Sequence, residues 1–289
     1  MDDLTLTHAI AIRLVAYAAV LGLMIAWEWR APKRPRVLTR GQRWPWNLGI
    51  AALNAGIGRA LFAIAPLAAA AWAAERDIGL LHALDRWGFG LPAWAAIVLS
   101  VVVFDLAIYG QHVAFHHQPL LWRLHRMHHA DPDIDATTGA RFHPIEIVLS
   151  AFYKSAIAIA LGAPLVAIVI FEILVNATAM FNHANVRVPA AVERWLRLVV
   201  VTPDMHRVHH SIHRDETDSN FGFNWPWWDR AFGTYRAQPR DGHESMTIGL
   251  ERFRSRADQR LDRLLIQPFI GDDPAQPGGA TPTRQRSTP

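Results

Sequence analysis

The sequence predicts an all-α integral membrane protein: about four transmembrane or re-entrant helical regions beneath a cytoplasmic helical cap that holds a histidine-rich di-metal site. Three observations carry this expectation. Apolar residues make up 51% of the 289 positions and charged residues only 19%, below the roughly 25% charged fraction of ordinary soluble domains. The basic residues crowd against the long apolar runs. The pattern H-x-x-H-H occurs twice, as "HRMHH" at 125–129 and "HRVHH" at 206–210.

A membrane span needs ~20 mainly apolar residues. His8 to Trp27 supplies the first, with Arg13 near its outer end and Trp27 and Trp29 at the inner interface. Its amino end, "MDDLTLTH", is acidic and no small-residue cleavage site follows, so the segment reads as an anchor and not a signal peptide. Asn47 to Ala74 is a second, longer run whose Arg59 and Pro66 predict a tilt or a break. Pro92 to Tyr109 is the third. Ile145 to Met180 is too long for one span, and "LGAPL" at 161–165 supplies a turn in its middle, which makes the region a hairpin. The closing stretch from Gly271 to Pro289, rich in Pro, Gly, Thr and Arg, reads as a disordered tail.

Charge sets the orientation. Arg30, Lys33, Arg34, Arg36, Arg40 and Arg43 follow the first span and place that loop in the cytoplasm, while the nearly neutral residues 75–91 belong outside. The third span then returns to the cytoplasm near Gly110, and the hairpin leaves and comes back. Every dense histidine group therefore falls on one side of the membrane, most simply the cytoplasmic face of a bacterial-type inner membrane. The net charge of +4 is spent at these flanks, so no nucleic-acid partner is expected. The chain has no cysteine, which excludes disulfides, thiolate metal sites, iron–sulfur clusters and a thiol nucleophile.

Nine histidines are candidate ligands, eight of them at helical ligand spacing. His112 and His116 stand four apart where the third span ends. His125 pairs with His128 and His129, and His206 with His209 and His210, at the i+3 and i+4 separations that share a helix face. His183 lies at the end of the returning hairpin. One ion takes four to six ligands, so nine imidazoles suit two ions better than one, and an all-nitrogen set suits iron, zinc or copper over magnesium or calcium. A zinc hydrolase or a metal-handling protein remains a rival. However, no carboxylate stands inside any histidine motif, and neither a G-x-S-x-G elbow nor a Gly-rich phosphate loop is present.

At these residues the chain resembles the fatty acid hydroxylase/sterol desaturase superfamily, whose H-x-x-x-H, H-x-x-H-H, H-x-x-H-H series it carries in order. "FDLAIYGQHVAFH", "LWRLHRMHHADPDIDATTGARFHPIE", "TPDMHRVHHS" and "NFGFNWPWWDRAFGTY" extend the likeness over Phe104 to Tyr235. Residues 1–90 match only in being hydrophobic, and the chain is read as membrane-anchor helices at 1–91, a catalytic domain like that of the family at 92–270 and the tail at 271–289. The resemblance implies two iron ions at the nine histidines, with zinc able to occupy them in purified protein. It also implies an O2-dependent attack on an aliphatic C–H bond of a lipid, by hydroxylation or desaturation. Sterol-like, fatty acyl, ether-lipid and carotenoid substrates all fit. Electrons would come from an external donor, a ferredoxin or a cytochrome with its reductase.

Each ligating imidazole needs an acceptor for its other N–H. Asp105, alone in an apolar run, is a candidate, as are Glu146, Asp204, Asn220 and Asp229. His143, followed by Pro144, reads as a partner of the ligands or a substrate-lining residue. His117 and His213 are off register. His8, His82 and His243 stand alone. The aromatic run from Phe221 to Tyr235 suits both packing under the site and a lipid-admitting rim.

Overall fold

The computed structural model describes residues 6–61 and 65–271. Among these it is helical, with two isolated β-bridges and no strand. The tail expected from 271 lies outside the described residues from 272 onward. Four helices are long and apolar enough to cross a membrane: α1 (Leu6–Arg30), α5 (Ala93–His117), α7 (Pro144–Leu161) and α8 (Leu165–His183). Between the first two of these stand α2 (Arg40–Ala60), α3 (Pro66–Glu75) and the short α4 (Leu80–Arg86).

The long run expected at 47–74 is two helices. Pro66 opens α3 as its first residue, where its missing N–H costs no helical bond. The third span does not stop near Gly110. α5 continues to His117, because leaving the apolar layer does not by itself end a helix, and its last two turns carry His112 and His116. The hairpin turns at "LGAPL": Gly162 adopts φ +66° and caps α7, a left-handed conformation that favours glycine.

Apolar packing holds the spans together. Phe104 and Val101 of α5, Ala158 and Leu161 of α7, Ile168 and Phe171 of α8, and Leu67 and Ala70 of α3 form one buried cluster. Met24 of α1 packs on Met180 and Val186 in a second. Large apolar side chains on the outward faces of the spans, among them Leu14, Leu23, Trp94, Val98 and Phe152, remain exposed, as a lipid-facing surface requires.

The cap that follows the membrane ends is polar inside. It is built from α6 (Pro119–His129), α9 (Ala190–Leu196), α10 (Pro203–His209), α11 (Arg214–Thr217), α12 (Trp227–Phe232) and α13 (Leu261–Ile266). The basic stretch after α1 turns inward more than a lipid flank would. Lys33 pairs with Asp204 at 3.1 Å, Arg34 donates to the Met246 carbonyl at 2.6 Å, and Glu28 accepts from the Ala136 and Asn185 amides. Arg43 is fully buried. It grips Asp131 with Nε and Nη2, both at 2.6 Å, and Asp135 with Nη1 at 2.6 Å. The network continues through Asn47, Thr137 and Thr138 to Arg141, which also binds Gln259 at 2.7 Å.

A buried ion pair that loses one partner leaves an uncompensated charge, at a cost of about 3–5 kcal/mol. Arg43→Ala should therefore lower the thermal midpoint of detergent-solubilised protein far more than Arg260→Ala, whose side chain is exposed. Burial alone would raise the Asp131 carboxyl, but the Arg43 and Arg141 guanidiniums hold it at about 2 against an ordinary 3.8. A carboxyl lowered in the folded state contributes stability that is complete above its ordinary value and lost as pH falls through the folded one. Acid unfolding between about pH 4 and pH 2 should show this contribution in the wild type, and Asp131→Asn should lack it.

Candidate metal centre

All nine histidines singled out in the sequence come together, buried, in two groups. His112, His116, His125, His129 and His209 form one, and His128, His183, His206 and His210 the other. Within each group the ligand atoms lie within 4.8 Å of one another. α5 supplies His112 and His116, α6 supplies His125, His128 and His129, α8 ends on His183, and α10 supplies the last three with His210 at its end.

The two H-x-x-H-H motifs interlock. In α6 the i, i+4 pair His125 and His129 goes to the group of five, and His128 to the group of four. In α10 the i, i+4 pair His206 and His210 goes to the group of four, and His209 to the group of five. Residues at i+3 and i+4 lie ~100° apart around a helix, so adjacent imidazoles of one motif reach different centres. The doubled histidine is what lets one helix turn serve both.

Most rings are held by the nitrogen that faces away from the group. His112 Nδ1 donates to the Phe221 carbonyl at 2.7 Å, His128 Nδ1 to Arg141 at 3.1 Å, His183 Nδ1 to Ala179 at 2.6 Å and His209 Nδ1 to Ser219 at 2.7 Å. His125 Nδ1 donates to Glu146 at 2.8 Å and His116 Nδ1 to Asp218 at 3.2 Å. A carbonyl or carboxylate can only accept, so in these rings Nδ1 carries the proton and Nε2 is left as a bare lone pair.

Those lone pairs point at one another. His183 Nε2 lies 3.0 Å from His128 Nε2, 3.0 Å from His206 Nε2 and 3.1 Å from His210 Nε2. His112 Nε2 and His125 Nε2 stand 3.1 Å apart. Nε2 of His116, His129 and His209 has no hydrogen-bond partner among the described residues. Proton sharing cannot satisfy such a set. Burial first, and the neighbouring histidines second, push His128, His129, His206 and His210 well below the ordinary 6.5; burial does the same to His209. Neutral imidazoles converging by their lone pairs fit a cation in each group, and their nitrogen-only chemistry suits iron, zinc or copper.

The expected supporting residues fall in different places. Glu146 holds His125. Asp229 accepts from the Phe221 and Gly222 amides at 2.8 and 2.9 Å and thereby fixes the carbonyl that takes His112. Asn220, at φ +51°, donates to the Met205 carbonyl and ties its loop to α10. Asp105 accepts from Trp228 Nε1 at 2.7 Å and pins the aromatic run, touching no histidine; Asp204 pairs with Arg207 and Lys33. His143 caps α7, accepting from the Ile145 amide and donating to the Leu265 carbonyl. His117 and His213 face outward, and His82 and His243 pair with Asp77 and Asp204 away from both groups. Asp218 was not among the sequence candidates; it lies 102 positions from the His116 it serves.

Packing around the centre is tight at Gly139. A Cβ there would come within 2.6 Å of the Ala179 carbonyl oxygen, the acceptor of His183, and 3.3 Å from His183 Nδ1.

Residues 97–234 match the fatty acid hydroxylase family. The chain is similar to the ornithine lipid hydroxylase OlsE of Rhizobium tropici, 28% identical over 197 residues that cover 66% of this chain and 57% of that protein. It is similar to human alkylglycerol monooxygenase, 28% identical over 56% of this chain and 35% of that protein, and to human lathosterol oxidase, 26% identical over 53% and 49%. The chain thus spans between about a third and somewhat over half of these relatives' lengths. No solved structure matches it.

His183 touches the three other rings of its group, so His183→Ala should cut bound metal from ~2 ions per chain to ~1, since nine imidazoles exceed one ion's coordination number. His82→Ala and His243→Ala should keep the full complement, and His143→Ala should lose ~1 kcal/mol of capping stability with its metal retained. Elemental analysis of folded, detergent-purified variants decides; a His183→Ala protein with undiminished metal contradicts the assignment.

Proposed function

We propose that this chain, which belongs to the fatty acid hydroxylase/sterol desaturase superfamily, is a membrane-bound di-iron enzyme that uses O2 to oxidise an aliphatic C–H bond of a lipid. The observation that carries the proposal is a cavity of about 500 Å³ with His112 and His125 in its wall. Most of its remaining lining comes from α1, α2, α5, α7 and α8, among it Leu14, Ala51, Ile108, Phe115, Phe171 and Val175. A cavity walled by membrane helices and mostly apolar side chains takes up an alkyl chain, not a polar metabolite.

Iron held by the two histidine groups would supply the O2 chemistry that no side chain performs. The chain's own residues do the rest. Phe115, Phe142 and Phe223 line the cavity beside His112 and His125 and keep that end dry. Glu146 fixes the His125 ring through one oxygen, while its other, Oε2, has no partner among the described residues. That atom is placed to hold a proton at the cavity wall. The metal groups face the cytoplasm under the positive-inside rule, within reach of a separate electron donor of the ferredoxin or cytochrome class, and residues 92–270 act as the catalytic unit.

Purified protein loaded with iron, given a membrane lipid extract, an electron donor and isotope-labelled oxygen, should convert a lipid only when oxygen is present. A hydroxylase puts the label into the product and a desaturase does not. Zinc-loaded protein should be inactive. Turnover without oxygen, or with zinc in place of iron, would establish a hydrolytic or other non-redox reaction.

A further inference from the structure

The cavity that meets the histidines has a second, charged end. Along α7 its wall is Glu146, Ile147, Ser150 and Lys154, spacings that keep to one side of a helix. Glu146 binds His125. Lys154 lies eight residues further on, about 12 Å deeper along the span at ~1.5 Å per residue. Among the described residues no hydrogen bond or ion pair claims its ammonium, which lines the cavity. The carboxylate that acts on it is Glu172 of α8, and Glu172 already bridges Arg13 of α1 at 2.9 Å. Asn176, one turn along α8, lines the same cavity.

Two cations here share one carboxylate, in a span flanked by lipid-facing apolar residues. Structural charges inside a membrane are paired, because an isolated charge is costly; one left over marks a functional position. Ser150 and Asn176 cannot neutralise it. Lys154 also stands in the stretch of cavity wall along α7 beside which an alkyl chain lying against His112 and His125 would extend.

We infer that Lys154 is a subsite for an anionic oxygen group on the substrate, with Arg13 and Glu172 holding the local charge balance. The bound lipid lies with its anionic group at Lys154 and its alkyl chain running toward the histidines. The carbon offered for oxidation is then set by its distance along the chain from the anionic group. Lys154 positions substrate and takes no part in bond breaking. This reading rests on the cavity being the lipid site proposed above and adds which end of the lipid enters it.

Equilibrium binding tests it without turnover. Metal-loaded protein in nanodiscs, kept free of reductant, is titrated with radiolabelled hexadecanoate and with hexadecanol, which share an alkyl chain and differ in charge. The acid should bind about tenfold tighter or more, the scale of one charge-assisted hydrogen bond. Lys154→Met should bind the acid no better than the alcohol, and Lys154→Arg should restore the preference. Equal binding of acid and alcohol by the wild-type protein overturns the subsite while leaving the cavity a lipid site, and so does an acid preference that survives in Lys154→Met. Failure of the wild-type protein to bind either ligand overturns the lipid-site reading itself.

Discussion

Neutral imidazoles that converge by their lone pairs repel one another unless a positive charge lies between them, and the rest of the cap is arranged around this constraint. Each Nδ1 acceptor is an element of that arrangement. Phe221, Arg141, Ala179 and Ser219 offer backbone carbonyls, and Glu146 and Asp218 offer carboxylates. By taking the outward proton, they leave the inward nitrogen free for a metal and fix the ring's direction before one arrives. The partners that hold these acceptors matter equally. Arg141 presents its carbonyl to His128 because its guanidinium is locked to Met127, Asn47 and Gln259. Asp131, gripped by Arg43 of α2, anchors the same network.

The membrane part and the cap are therefore one construction. α5 and α8 leave the bilayer as helices and deliver His112, His116 and His183 with no loop between anchor and ligand. α1 and α2 do more than anchor, because Glu28 and Arg43 reach into the polar interior of the cap. A cavity lying between the same spans reaches His112 and His125 from the membrane side.

What was legible in the sequence was what depends on local periodicity. The spans follow from run length, the hairpin from "LGAPL", eight of the histidines from i+3 and i+4 spacing on helices, and His183 from its position at the end of the hairpin together with the family resemblance. The all-α fold follows from the same patterns. What was not legible depends on meetings across long separations. Nothing near Arg43 announces Asp131, 88 positions away, or that a basic flank would supply a fully buried residue. Asp218 looked like any surface acid, since its role exists only once α11 folds back toward α5. The division of the histidines into five and four was equally hidden, because it depends on how α6 and α10 are rotated against each other. Asp105 shows the limit of a sound local argument. A carboxylate in an apolar run does need a partner, but the partner is the Trp228 indole and not an imidazole.

If each histidine group holds its own ion, the protein carries two separate metal sites. Crystals or oriented nanodisc arrays of iron-loaded protein, measured at the iron absorption edge, test it most directly. Two anomalous scattering peaks are expected, one enclosed by His112, His116, His125, His129 and His209 and the other by His128, His183, His206 and His210. A single peak shared by both groups, or iron bound away from these histidines, would contradict it.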